Sequence, residues 1–340
     1  MGLYRRSILE YVSNTSMNQD NSLKFDEDVE TTDPFLKSLI NGDKELKAYF
    51  GDAVPKILNG AHYKVTSKVA RGSQGVVMLA QNTIDMKLYV IKISNKPSAI
   101  EVLTEFMFQE HAHRVLKGAC TTPAPKGFIR VKEGDRFTYM MVSKYLSVIP
   151  NVKSTLSIHQ ALKEHENSKP ILSVIEWREV CLSLIDAVNT LQSNDIYHID
   201  LKHDNILLLF IDDKVKPVII DFGISIRKNS RKSSSLFTPG LNDDKDYPQI
   251  APELFKSSTP LPTTDLYGIS FTISQICKYI PLPSVQSMIK DYREKSPTQR
   301  LPYPVLRAAT KMCFDRDIEK QMRKEENKQI IRPEIICTRL

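Results

Sequence analysis

The 340-residue chain has no run of 18 or more apolar residues, which excludes a helix that crosses a bilayer. Its first fifteen residues, Met1 to Thr15, hold no apolar stretch long enough for a secretory signal. Cysteine is sparse. Cys120, Cys181, Cys277, Cys313 and Cys337 stand far apart and are odd in number, so neither a disulfide framework nor a Cys-x-x-Cys metal pattern can be drawn. Reduced, buried thiols in an intracellular protein, cytoplasmic or nuclear, are the reading that remains. No internal repeat is visible. A concentrated basic patch is also missing: the net charge is +7, but only Arg227 to Lys232 is locally dense. A solvated basic surface is therefore expected, with no clear nucleic-acid-binding motif. What is present is an ordinary globular balance, 41% hydrophobic and 26% charged, enough for a real core.

The chain reads as an N-terminal extension over 1–60, partly flexible, a folded domain over 61–325 and a tail over 326–340. From Asp20 to Asp33 six acids stand against one lysine, a composition that buries little apolar area. From Phe35 to Leu58 apolar pairs at Leu39/Ile40, Tyr49/Phe50 and Ile57/Leu58 predict one or two short helices broken by Gly42, Gly51 and Pro55. β-Branched runs from Tyr63 to Ile93, then Phe128–Val131 and Phe137–Val142, predict five strands around one helix at Ala99–Leu116. Beyond Pro150 helices dominate. Trp177, Val180/Cys181, Leu184, Ala187/Val188 and Leu191 form the stripe of a helix buried on one side. Further helices are expected over Asp265–Tyr279, Ser284–Lys295 and Leu301–Cys313.

The stretch Tyr197-His198-Ile199-Asp200-Leu201-Lys202-His203-Asp204-Asn205, followed sixteen residues later by Asp221-Phe222-Gly223, carries the chemistry. It resembles the catalytic loop and metal-binding triplet of the eukaryotic-type protein kinase family, His-Arg-Asp-Leu-Lys-x-x-Asn and then Asp-Phe-Gly. The resemblance covers roughly residues 61 to 325 and implies an α+β, bilobal protein-kinase-like fold. A small β-rich lobe would span 61–143 and a larger helical lobe 150–325, closing over a nucleotide. It further implies a protein serine/threonine kinase using ATP and Mg²⁺ on protein substrates that carry Ser or Thr. Asp200 would take the hydroxyl proton, Lys202 would stabilise charge on the moving phosphoryl group, and Asn205 and Asp221 would hold Mg²⁺. Turn-making is the bland alternative for Asp and Asn in such a loop.

Other family elements are matched in part. Ala70-Arg71-Gly72-Ser73-Gln74-Gly75 resembles the glycine-rich turn over the phosphates, with Ala70 where the first glycine belongs. Tyr89-Val90-Ile91-Lys92 resembles the Val-Ala-Ile-Lys strand, and its lysine would meet the α- and β-phosphates. Its carboxylate partner is assigned to Glu105, with Glu101 and Glu110 as alternatives that spacing does not separate; Gln109, four residues after Glu105, stands where the family carries an apolar residue. Val77, Val90 and Leu207 match positions that sandwich adenine, though core packing also explains them. Ser143 matches the position behind the pocket, where a small side chain leaves room.

Ile199 replaces the arginine that grips a phosphate on the activation segment, so phosphorylation there should matter less, although Ser230, Ser233, Ser234, Ser235 and Thr238 remain candidate sites. Ala251-Pro252-Glu253 resembles the close of that segment, with Arg300 as its salt-bridge partner and Asp265 as the brace of the catalytic loop. Asp246-Tyr247-Pro248-Gln249-Ile250 departs from the usual Thr-x-x-Tyr. Divergent kinases of large DNA viruses and bacterial effectors are similar in this respect, and for such an origin the location would be the host cell. A silent kinase-like scaffold and a small-molecule kinase are the competing readings; fold alone does not separate them.

Overall fold

The computed structural model of the chain describes residues 33–72, 75–94, 98–118, 120–133, 136–146, 152–167, 170–228, 246–256 and 259–331. Ser73, the acidic stretch before Asp33, and Ser230, Ser233, Ser234, Ser235 and Thr238 lie outside them. Two compact units result. The first takes the described residues up to Arg114 together with Thr122–Val152 and Asp221–Gly223; the second takes the remainder.

The first unit opens with two short helices, α1 (Pro34–Gly42) and α2 (Lys44–Phe50). Each starts on an aspartate whose carboxylate accepts from the first turn's N–H groups, Asp33 for α1 and Asp43 for α2. Ile57–Leu58 does not continue the helices. It forms strand β1, parallel to β5 (Pro125–Glu133), because Lys56 O accepts from Phe128 N at 2.9 Å and draws the segment onto the sheet edge. The sheet therefore has six strands, in the order β1-β5-β6-β4-β3-β2, with β2 Tyr63–Gly72, β3 Gly75–Asn82, β4 Leu88–Ser94 and β6 Arg136–Lys144. Period-two alternation sends Val76, Met78, Ala80, Ile91, Ile93 and Val142 into one hydrophobic cluster.

Helix α3 (Ala99–Val115) belongs to this unit almost entirely. Phe106 packs at 5.0 Å from Phe128 and 6.3 Å from Phe50, and Tyr49 Oη donates to Glu110 Oε2 at 3.1 Å. Thus α2 bears directly on the helix that carries Glu105. Asp33 adds a second tie: its Oδ2 accepts from Arg130 Nη1 and Tyr139 Oη, both at 3.0 Å.

The second unit is built on α5 (Val174–Ser193), which follows β7 (Val152–Ser157) and α4 (Ile158–Glu166). A reciprocal Ser173–Glu176 capping box starts α5, and the whole predicted stripe from Trp177 to Leu191 is buried. Each such side chain contributes about 1.5–3 kcal/mol by leaving water. The hairpin β8 (Ile206–Ile211) and β9 (Lys214–Ile219) pairs with β7, and α6 (Thr264–Tyr279), α7 (Pro283–Glu294) and α8 (Tyr303–Ile331) complete the unit. The last helix runs well past the expected Cys313. Phe314 and Asp317 are still buried, and Asp317 Oδ2 accepts from Ser284 N and Val285 N to cap α7. Beyond that turn the residues are mostly polar helix formers without an apolar stripe, which is why periodicity misses the continuation. No helix among the described residues is long and apolar enough to cross a membrane.

Candidate active site

In the first unit, two carboxylates converge on Lys92. Its Nζ lies 2.5 Å from Glu105 Oε1 and 2.6 Å from Asp221 Oδ1. Burial opposes the ammonium charge, but the Glu105 and Asp221 carboxylates outweigh it and push the pKa well up. Glu101 is exposed and Glu110 accepts from Tyr49, so α3 presents Glu105, not the other two, to the lysine. Asp221 has φ of +67°, a left-handed backbone that is uncommon outside glycine.

Register explains which residues share Lys92's side of the sheet. Val77 pairs with Lys92, Lys92 with Met141, and Val90 with Ser143, so Val77, Val90, Lys92 and Ser143 project from one face. Val76 and Ile91 point the other way, into the core cluster. The place behind Ser143 is not simply roomy. Gln109, 5% exposed, donates from Nε2 to Ser143 Oγ and to Pro123 O, both at 3.0 Å. The polar residue where an apolar one is usual is thus satisfied by a polar partner on β6.

Ala70 and Gly72 end β2, and the β2–β3 register runs from Ala70↔Val77 to Gly72↔Gly75. Gly75 is required for a reason the motif does not contain. At φ of +152° a Cβ there would sit 2.1 Å from Ile93 O, so the strand backbone itself forbids a side chain.

The residues from Asp200 to Asn205 gather in the second unit. Asp200, 4% exposed, accepts on Oδ2 from Lys202 Nζ and Asn205 Nδ2, each at 2.9 Å, and on Oδ1 from Gln249 Nε2 at 2.7 Å. Gln249 is the residue that motif reading missed; its position in a segment that departs from the family pattern hid it. The second N–H of Asn205 goes to Asp200 O at 2.9 Å, so the amide spends its donors on Asp200 and keeps its carbonyl oxygen as the acceptor. A free carbonyl oxygen of this kind is a donor type that Mg²⁺ accepts. Leu207 is half-buried on β8, opposite Val218.

Asp265 organises the loop from α6. Its carboxylate is fully enclosed and accepts from His198 N and Ile199 N, both at 2.8 Å. Burial raises its pKa against the pull of His198 and those two N–H groups. Gly268, one turn later, lets α6 approach the loop, since a Cβ would meet Leu201 Cβ at 3.1 Å. His198 binds Ile220 O through Nε2 at 3.0 Å, anchoring the loop to the residue just after β9. Arg300, 6% exposed, reaches both oxygens of Glu253, at 2.8 and 3.0 Å, and lies over the Tyr267 ring. Ile199 lies in an apolar cluster with Tyr197, Ile224, Ile226, Ile250 and Leu254.

The protein kinase domain family model matches residues 63–332. A probable protein kinase of Dictyostelium discoideum is 23% identical over 252 residues, 72% of this chain and 62% of that protein. A membrane-associated tyrosine- and threonine-specific cdc2-inhibitory kinase, wee-1.3 of Caenorhabditis briggsae, is 24% identical over 223 residues, 65% of this chain and 30% of that protein. The chain thus spans less than two thirds of either relative. The PknI kinase domain of Mycobacterium tuberculosis, solved as a double mutant, is 16% identical with a TM-score of 0.50, and the match covers 75% of this chain and 96% of that one. That likeness concerns the fold, an α+β kinase fold with a β-sheet unit and a helical unit. With its model matched over most of the length, the chain belongs to the protein kinase domain family.

Proposed function

We propose that the chain is a protein serine/threonine kinase that transfers the γ-phosphoryl group of ATP to hydroxyls of protein substrates. The observation that carries this reading is the convergence of Glu105 and Asp221 on Lys92, from positions 13 and 129 residues away in sequence. A buried ammonium between two carboxylates is held in place for a polyanionic ligand. Members of this family use ATP with a divalent metal. Asn205 and Asp221 would hold the metal, whose charge offsets that of the phosphates when bound.

Each residue then has a defined task. Asp200 orients the substrate hydroxyl and takes its proton as the new O–P bond forms and the bond from the γ-phosphorus to the bridging oxygen breaks, releasing ADP. Lys202 lies beside that carboxylate and compensates charge on the moving group. Lys92 binds phosphate oxygens. Val77 and Val90, on Lys92's face of the sheet, would wall the base, and family resemblance gives Leu207 the same task. Ala70, Gly72, Ser73 and Gly75 supply the turn over the phosphates, and Ser143 lines the pocket behind the base.

Lys202, two residues after Asp200, favours serine and threonine as acceptors by family resemblance. The experiment is phosphate transfer from Mg-ATP to a mixed protein extract, by the purified chain and by Asp200→Asn, followed by phosphoamino-acid analysis. Transfer to Ser or Thr by the unaltered chain alone supports the proposal. Equal labelling by both proteins would leave a scaffold, label on tyrosine would revise the acceptor, and label on metabolites alone would turn the reading to a small-molecule kinase.

A further inference from the structure

A second cluster of ligand-type side chains lies where the loop from Asp200 to Asn205 meets the start of α4, and it has no part in the scheme above. His203 and Asp204 fill the two positions between Lys202 and Asn205, and His159 is the second residue of α4. One ligand atom from each of the three lies within 4.8 Å of the others.

The local structure holds this group together without satisfying it. His159 N donates to His203 O at 3.2 Å, tying the start of α4 to the loop. The Ser157–Gln160 capping box fixes the first turn of that helix, and Asn205 N closes on Lys202 O at 2.9 Å. The side chains are less settled. The two imidazoles are 4.9 Å apart and tilted by 56°, not stacked. His203 Nε2 stands 3.7 Å from Asp204 Oδ2, beyond hydrogen-bond distance. His203 Nδ1 is buried and makes no hydrogen bond among the described residues.

We propose that His159, His203 and Asp204 form a site for zinc(II), with water completing a four-coordinate shell. Two imidazoles and one carboxylate are zinc donors, whereas Mg²⁺ and Ca²⁺ take oxygen alone. One carboxylate is also too few oxygen donors for Mg²⁺ or Ca²⁺, which gather several. Ligands about 2.1 Å from the metal at tetrahedral angles stand about 3.4 Å apart, so the donors close by roughly an ångström on binding. Asp204 is exposed and His159 half-buried, so rotation of their side chains provides that movement.

Occupancy has a consequence that rests on the kinase reading. Drawing His203 toward α4 pulls on the turn whose ends are Lys202 and Asn205, so zinc slows phosphoryl transfer.

The test separates the two statements. The full chain, stripped of metal by a chelator, is titrated with Co²⁺ and with Zn²⁺ without nucleotide or magnesium. One equivalent bound, the visible absorption of four-coordinate Co²⁺, and binding at least tenfold weaker in His159→Ala, in His203→Ala and in Asp204→Asn are expected. A six-coordinate spectrum, or unchanged affinity in all three variants, overturns the site, whatever the enzyme does with ATP. Phosphoryl transfer is then followed against Zn²⁺ concentration. Inhibition of the unaltered chain but not of His159→Ala is expected, and equal inhibition of both overturns the coupling.

Discussion

Gln249 Nε2 lies 2.7 Å from Asp200 Oδ1, on the carboxylate oxygen that neither Lys202 nor Asn205 occupies. The amide is 6% exposed and comes from the segment just before Ala251-Pro252-Glu253. Through this contact the activation-segment end sets the rotation of the proposed base. Gln249→Ala removes a hydrogen bond to an ionised group, worth about 1.5–3 kcal/mol, and kcat should fall roughly 10- to 100-fold. KM for ATP should stay within about twofold. Gln249→Glu places a second carboxylate against Asp200 and should be worse than alanine. Steady-state kinetics of both variants decide it; equal loss of folding in both by thermal melting would make the role structural.

Lys92 yields a pH dependence with a definite sign. Its folded pKa is raised above an unfolded value of about 10.4, so the charged lysine favours the native state at every pH below that value. The contribution declines as pH rises beyond it toward the folded pKa. Melting temperatures of the unaltered chain and of Lys92→Met, compared from about pH 7 to about pH 11, should differ in slope only at the alkaline end, with the unaltered chain losing more. Parallel curves throughout would show that the carboxylates do not hold the lysine charged.

Ile199 has φ of +72°, rare for a β-branched residue, yet its side chain packs with Ile224, Ile226 and Leu254. Restoring the family arginine by Ile199→Arg would bury a guanidinium among apolar groups and should cost about 3–5 kcal/mol of stability by denaturant titration. The same packing holds Ile224 and Ile226, just after Asp-Phe-Gly, by apolar contact. Phosphatase-treated protein should therefore retain its phosphotransfer rate within about twofold. A drop of tenfold or more would show that a phosphate is needed after all.

Burial pushes the Cys120 and Cys277 thiols up to about 12, and Cys181 is also raised well above the ordinary thiol value. Native protein at about pH 8 should alkylate at these three only on the unfolding timescale. Cys313, half-buried, should react first among the described cysteines. Peptide mapping after a timed exposure to iodoacetamide reads the order, and early labelling of Cys181 would contradict the packing of α5.

The stripe on α5, the β-branched runs and the spacing of Lys92, Asp200, Lys202, Asn205 and Asp221 are properties of sequence, because a periodic apolar face and a short rigid loop both write themselves at fixed intervals. Other features depend on distant partners. Whether Glu101, Glu105 or Glu110 reaches Lys92 depends on how α3 is rotated against the sheet, and that follows from Phe50 and Phe128 packing on Phe106. Ile57 and Leu58 became a strand because Lys56 O met Phe128 N, a contact between residues far apart in the chain. Gln109 on Ser143 and Gln249 on Asp200 are likewise long-range pairings made by neutral amides, which leave no periodicity and no charge pattern to read. Local chemistry chose the elements and the candidate site residues; tertiary contacts chose each one's partner, since a hydrogen bond is specified by geometry in three dimensions and not by interval along the chain.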